Sequence, residues 1–123
     1  MDAFASYISE NRTRFINELI EFVKIPSVSA QTERRSACRT AAQFLIEEFQ
    51  RLGLSVSLEE TAGHPIVLAK YHSGDNRPTI LIYGHYDVQP EEPVELWHAP
   101  PFEPVIKDGN LYARGASDDK GQI

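Results

Sequence analysis

Cysteine occurs once in 123 residues, at Cys38. An internal disulfide is therefore excluded, and the fold has to be held by packing and hydrogen bonds. Long apolar runs are also missing. Nothing approaches the roughly 20 consecutive apolar residues of a membrane span, so no membrane partner is expected. Basic charge is scarce: 12 Lys and Arg stand against 18 Asp and Glu, for a formal net charge of −6. The basic residues are scattered, with Arg34 and Arg35 as their closest cluster. That balance argues against a nucleic-acid partner, because nothing neutralises phosphates in bulk. Repeats and low-complexity segments are absent as well. Met1 is followed by Asp2 and a polar, helix-like stretch instead of a signal-peptide pattern. With the single thiol, this sets a cytoplasmic location as the expectation.

The remaining composition is that of an ordinary globular chain, 41% hydrophobic and 24% charged. Phe4, Ile8, Phe15, Leu19 and Phe22 recur at helical spacings and share one face. Asp2 is a candidate N-cap, and Ile25-Pro26-Ser27 ends the pattern, since proline disfavours helical geometry in the residue before it. A second helix is predicted from about Arg34 to Leu52, with Cys38, Ala41, Ala42, Leu45, Phe49 and Leu52 as its apolar stripe and Gly53 as its stop. Cys38 is read as a small core residue.

Beyond Gly53 the period changes from helical to alternating. Leu54, Val56 and Leu58 predict a half-exposed strand, and Ile66 to Tyr71 the next one. Thr79 to Tyr83 is apolar almost throughout, which predicts a strand covered on both faces. Residues 84 to 104 are rich in Pro and Glu and read as a long loop, with Glu91, Glu92 and Glu95 solvated. Asp108-Gly109 predicts a tight hairpin turn between Val105–Lys107 and Asn110–Tyr112. Two helices followed by strands predict a three-layer α/β domain.

Two segments carry candidate chemistry. Gly84-His85-Tyr86-Asp87 follows the predicted buried strand, where ligands bind in open α/β sheets. Residues two apart in extended chain point the same way, so His85 and Asp87 can face one site. A neutral imidazole suits zinc, and a nearby carboxylate can fix its tautomer. The second segment is Asp118-Asp119. Adjacent carboxylates repel unless a cation or donors compensate, and one carboxylate can bridge two metals. Each segment alone also admits a structural reading, as a satisfied histidine or an Asp turn. His64, His72 and His98 are read as loop residues, with His98 close enough to the site to meet a substrate. Tyr86 and Gln89 are read as loop supports.

The run from Ile80 to Pro90 closely resembles the first metal motif of a zinc-peptidase family. That family includes carnosinase-like dipeptidases, carboxypeptidase G, aminoacylase and succinyl-diaminopimelate desuccinylase. Trp97, Pro101-Phe102, Asp108-Gly109 and Leu111 to Gly121 resemble its second motif, and Ile25 to Ser29 resembles a segment after its first helix. The form of the first motif, with Tyr86 and Val88-Gln89-Pro90, is nearer the dipeptidase branch. Ala113 departs from the family's usual Gly.

The resemblance implies residues 1–123 as the N-terminal part of an α/β/α catalytic domain with a mixed sheet. The chain would be truncated after the second metal motif, without the rest of that domain or the dimerisation domain. It implies His85 as a ligand to one zinc, Asp118 as the carboxylate bridging two zincs, and Asp87 as the catalytic carboxylate that orients His85. Asp119 is implied not to bind metal directly, and the Asp118–Asp119 peptide is expected to be cis. Two Zn2+ per site are implied for the full-length enzyme, though Mn2+ or Co2+ suit the same ligands. The implied activity is hydrolysis of amide bonds in dipeptides or N-acyl amino acids. The family's general-base Glu and several further ligands are not in these 123 residues, so this chain is expected to be inactive alone. The alternative is a non-catalytic truncated module used for binding or oligomerisation, and a third reading is a metal site assembled between chains. A truncated sheet would expose a strand edge, so a homodimer or other self-association is expected.

Overall fold

The computed structural model describes residues 2–123. Helix α1 spans Ala3–Val23, and the Asp2 carboxylate accepts a hydrogen bond from Phe4 N at 3.3 Å, satisfying one of the free donors of the first turn. A single 3-10 turn, Thr32–Arg34, leads into α2 at Arg35–Arg51. Gly53, at φ +80°, takes the left-handed turn that ends α2. Strands β1 (Ser55–Glu59) and β2 (Ile66–Lys70) pair antiparallel with Val56 opposite Ala69. After a second 3-10 turn at Val94–Leu96, β3 (Val105–Lys107) and β4 (Asn110–Tyr112) form a hairpin. Its turn residues Asp108 and Gly109 both have positive φ, as a primed two-residue turn requires.

The core lies where the C-terminal part of α1 meets α2. Phe22, Ala41 and Leu45 are buried together, and the Phe22 and Phe44 rings stack with centroids 4.8 Å apart. Cys38 is fully buried, as its place in the apolar stripe predicts. Strands β1 and β2 also lie against α2, and Val67 of β2 packs onto the same core. The amphipathic reading holds best near this contact and fails at the helix ends. Phe4 is 70% exposed and Leu52 63%, left uncovered by the described elements.

Helices with small sheets give the α/β class. Among the described residues the pairing consists of the two antiparallel ladders and one isolated parallel bridge, Val28 to Val88. The segment Thr79–Tyr83 corrects the sequence-based expectation. It forms no ladder, and Ile80, Leu81, Ile82 and Tyr83 are each more than 80% exposed. Its composition is that of a buried strand, but a strand needs neighbours to supply its hydrogen bonds and cover its faces. No described helix is long and apolar enough to cross a membrane.

Candidate metal centre

His85 follows the exposed apolar run, and its imidazole lies between two carboxylates. Nδ1 is 3.1 Å from both the Asp87 carbonyl oxygen and Asp87 Oδ1. Nε2 is 3.0 Å from Asp118 Oδ1, although 33 residues separate the two in sequence. Asp119 points back instead: its Oδ2 accepts the His85 backbone N–H at 3.0 Å. The Asp118–Asp119 peptide is cis, as the family resemblance predicts.

A neutral imidazole carries one N–H and one lone pair. With Nδ1–H donated to Asp87, the Nε2 lone pair would face a carboxylate oxygen. Two acceptors at 3.0 Å are tolerable only with a positive charge between them, either a proton or a metal ion. Burial alone pulls the His85 pKa down, but contact with Asp87 and Asp118 outweighs it and the net direction is upward. The arrangement is therefore one that gathers a cation. It fits part of a divalent-metal centre: one imidazole ligand and one carboxylate with a free second oxygen. No group of three or more potential ligands is gathered among the described residues.

The two motifs are held to the rest of the fold by the segment after α1. Ser27 Oγ donates to the Tyr86 carbonyl at 2.6 Å, and Val88 N donates to the Ser27 carbonyl at 2.9 Å. Ser29 Oγ donates to Asp87 Oδ2 at 2.5 Å. Tyr86 turns into the core, and its hydroxyl donates to the Pro65 carbonyl at 2.5 Å. Burial, reinforced by nearby negative charge, pushes that phenol up to about 12. This is the supporting role expected for Tyr86.

The second motif is anchored through Lys120. Its ammonium is buried, donates to the carbonyls of Phe22 and Ile25, and stands 4.8 Å over the Phe22 ring. Burial pulls its pKa down to about 8. Gly115 sits at φ +80°, where a Cβ would lie 2.4 Å from Val88 Cγ1, so the two motif loops pack backbone to side chain.

Sequence reasoning missed Ser27, Ser29 and Lys120 as structural partners of the site. Their only signal was membership of segments that resemble the family, since small polar residues in loops leave no periodic trace. Glu91 is another correction, because it is not simply solvated. It pairs with Arg34 at 2.9 Å, and its carbonyl accepts the Trp97 indole N–H at 2.8 Å. Arg114 lies over the Trp97 ring at 5.1 Å, which ties the long loop to the second motif. His64 reaches the Ser29 carbonyl at 3.1 Å, His72 pairs loosely with Asp75 on the surface, and His98 is exposed.

Residues 81–123 match the model of peptidase family M20/M25/M40. The Cys-Gly metallodipeptidase of Schizosaccharomyces pombe is 33% identical over 134 residues, covering 100% of this chain and 28% of that protein. Human carnosine dipeptidase 1 superposes with a TM-score of 0.85 at 31% identity, over 95% of this chain and 27% of that one. An M20 family metallo-carboxypeptidase from Sulfolobus solfataricus gives a TM-score of 0.80 at 44% identity, over 87% and 24% respectively. The chain thus spans about a quarter of the length of the relatives it matches. By its motifs, its fold and these matches, the chain belongs to the peptidase family M20/M25/M40.

Proposed function

We propose that residues 1–123 are the N-terminal part of the metal-binding domain of a cytoplasmic dipeptidase-like hydrolase. The whole protein would cleave amide bonds in dipeptides or related N-acyl amino acids. The observation that carries this reading is His85 held between Asp87 and Asp118, with contacts of 3.1 and 3.0 Å. His85 and Asp118 would hold the metal, proposed as two zinc ions in the whole protein, and Asp87 is the proposed orienting carboxylate.

A bound divalent ion would supply Lewis-acid polarisation of the scissile carbonyl and a water of lowered pKa. The residues of this chain prepare that site. Asp87 accepts the Nδ1 proton and leaves Nε2 free as a ligand atom. Asp119 fixes the backbone of His85 and does not compete for the ion. Lys120 holds the loop that carries Asp118 against the end of α1.

Two ligands make a weak site, so this chain alone is expected to bind zinc poorly and to hydrolyse nothing. The same small donor set supports a second reading, a non-catalytic module that keeps the fold for binding or self-association. Zinc titration followed by NMR tests the proposal. Zinc should move the His85 and Asp118 resonances, and His85→Ala and Asp118→Ala should abolish the response. A response unchanged in both variants would sink the assignment. Dipeptidase activity of the longer protein, lost in the same variants, separates the enzyme from the module.

A further inference from the structure

Ser29 occupies the end of the segment that follows α1, 58 positions before Asp87. Its hydroxyl donates to Asp87 Oδ2 at 2.5 Å, while Oδ1 of the same carboxylate faces His85 Nδ1 at 3.1 Å. The two oxygens of Asp87 thus have separate partners on opposite sides. Ser29 is itself well fixed. Its neighbour Val28 is fully buried and bridged to Val88, and its own carbonyl meets His64 Nε2 at 3.1 Å. A carboxylate turns easily about its last torsion, because that rotation is broad and roughly two-fold. The Asp87 side chain is 39% exposed, so packing alone does not stop the turn.

We infer that Ser29 is a positioning residue for His85, acting through Asp87. Its hydroxyl holds the carboxylate plane so that Oδ1 accepts the Nδ1 proton. The Nε2 lone pair is then directed toward Asp118 and the cation between them. The Asp87 carbonyl also accepts from Nδ1 at 3.1 Å, so the share assigned to Ser29 is the carboxylate contact. This inference rests on His85 being a metal ligand, and it adds a residue three steps from the ion: hydroxyl, carboxylate, imidazole, metal.

The test uses the full chain with Ser29→Ala and Ser29→Thr. Three quantities are read: the urea midpoint, the His85 ring-nitrogen resonances without metal at one alkaline pH, and the zinc affinity. The ring nitrogens report which nitrogen carries the proton. Ser29→Ala should keep the fold, shift the tautomer away from Nδ1–H, and weaken zinc binding about 10-fold, the scale found for partners of metal-bound histidines. Ser29→Thr, which keeps the hydroxyl, should restore both. Wild-type resonances in a folded Ser29→Ala chain would overturn the inference, as would a folded Ser29→Thr chain that behaves like Ser29→Ala. If no form binds zinc and the tautomer still follows the hydroxyl, the positioning role stands and the two ligands of this chain do not hold zinc by themselves.

Discussion

Lys120 donates a hydrogen bond to the Phe22 carbonyl at 3.0 Å, joining residues 98 positions apart. It does so from two residues after Asp118, so the loop that carries the candidate ligand is tied to the end of the first helix. Lys120→Ala should lose two charge-assisted hydrogen bonds and leave a cavity at the core's edge. The expected cost is about 2–4 kcal/mol, read from urea unfolding. A loss within error of zero would show that the anchor is dispensable.

The depressed pKa of Lys120 sets a pH dependence for the metal-free chain. The folded-state value of about 8 lies below the ordinary lysine value of 10.5, so between these values the unfolded chain binds more protons. Stability therefore rises with pH across this window, by about 3 kcal/mol if the whole shift is expressed. Tyr86 acts oppositely. Its pKa is raised to about 12 in the fold, so its contribution is lost as pH climbs from about 10 toward 12. Urea midpoints in chelator should be higher at pH 9.5 than at pH 7.5. Lys120→Met should flatten that difference, and an equal rise in the variant would refute the assignment.

Gly115 and Gly53 share a φ of +80° but differ in their surroundings. A Cβ at Gly53 meets nothing within 4 Å, so Gly53→Ala should cost only the left-handed backbone penalty, about 1–2 kcal/mol. At Gly115 the same Cβ would lie 2.4 Å from buried Val88 Cγ1. Overpacking adds to the backbone term, and Gly115→Ala should cost about 2–5 kcal/mol. Equal losses in the two variants would mean that the Val88 contact relaxes freely.

Cys38 is fully buried, and burial, then the charge of Asp87, push its thiol upward. A thiol reagent should label native protein far more slowly than urea-unfolded protein, because the thiolate is the reacting form. Labelling of the folded chain at the free-thiol rate would contradict the buried position.

Leu81 and Ile82 are 90% and 87% exposed within a segment that joins no ladder among the described residues. Such a segment offers both backbone hydrogen bonds and apolar surface to another chain. The protein should self-associate in light scattering as concentration rises. Leu81→Lys with Ile82→Lys should suppress this while changing stability by about 0.5 kcal/mol or less, as exposed positions do. Unchanged association in the double variant would place the contact elsewhere.

Helix α1, helix α2 and the Asp108-Gly109 hairpin were legible because each is a local rule. Apolar residues repeat with the helical period, and positive φ is favoured at the Asp-Gly pair. The motifs around His85 and Asp118 were legible because their order and spacing resemble one family. Thr79–Tyr83 was misjudged because burial is a property of neighbours, and composition reports only what a segment would tolerate.

The chain's own residues thus determined its helices, its turn and the identity of its candidate ligands. Their convergence required the folded chain. His85 meets Asp118 across 33 residues, Asp87 meets Ser29 across 58, and Lys120 meets Phe22 across 98. Contacts of that separation follow from how the segment after α1 packs against both motif loops. Side-chain hydrogen bonds of this kind have no period, so no pattern along the sequence encodes them.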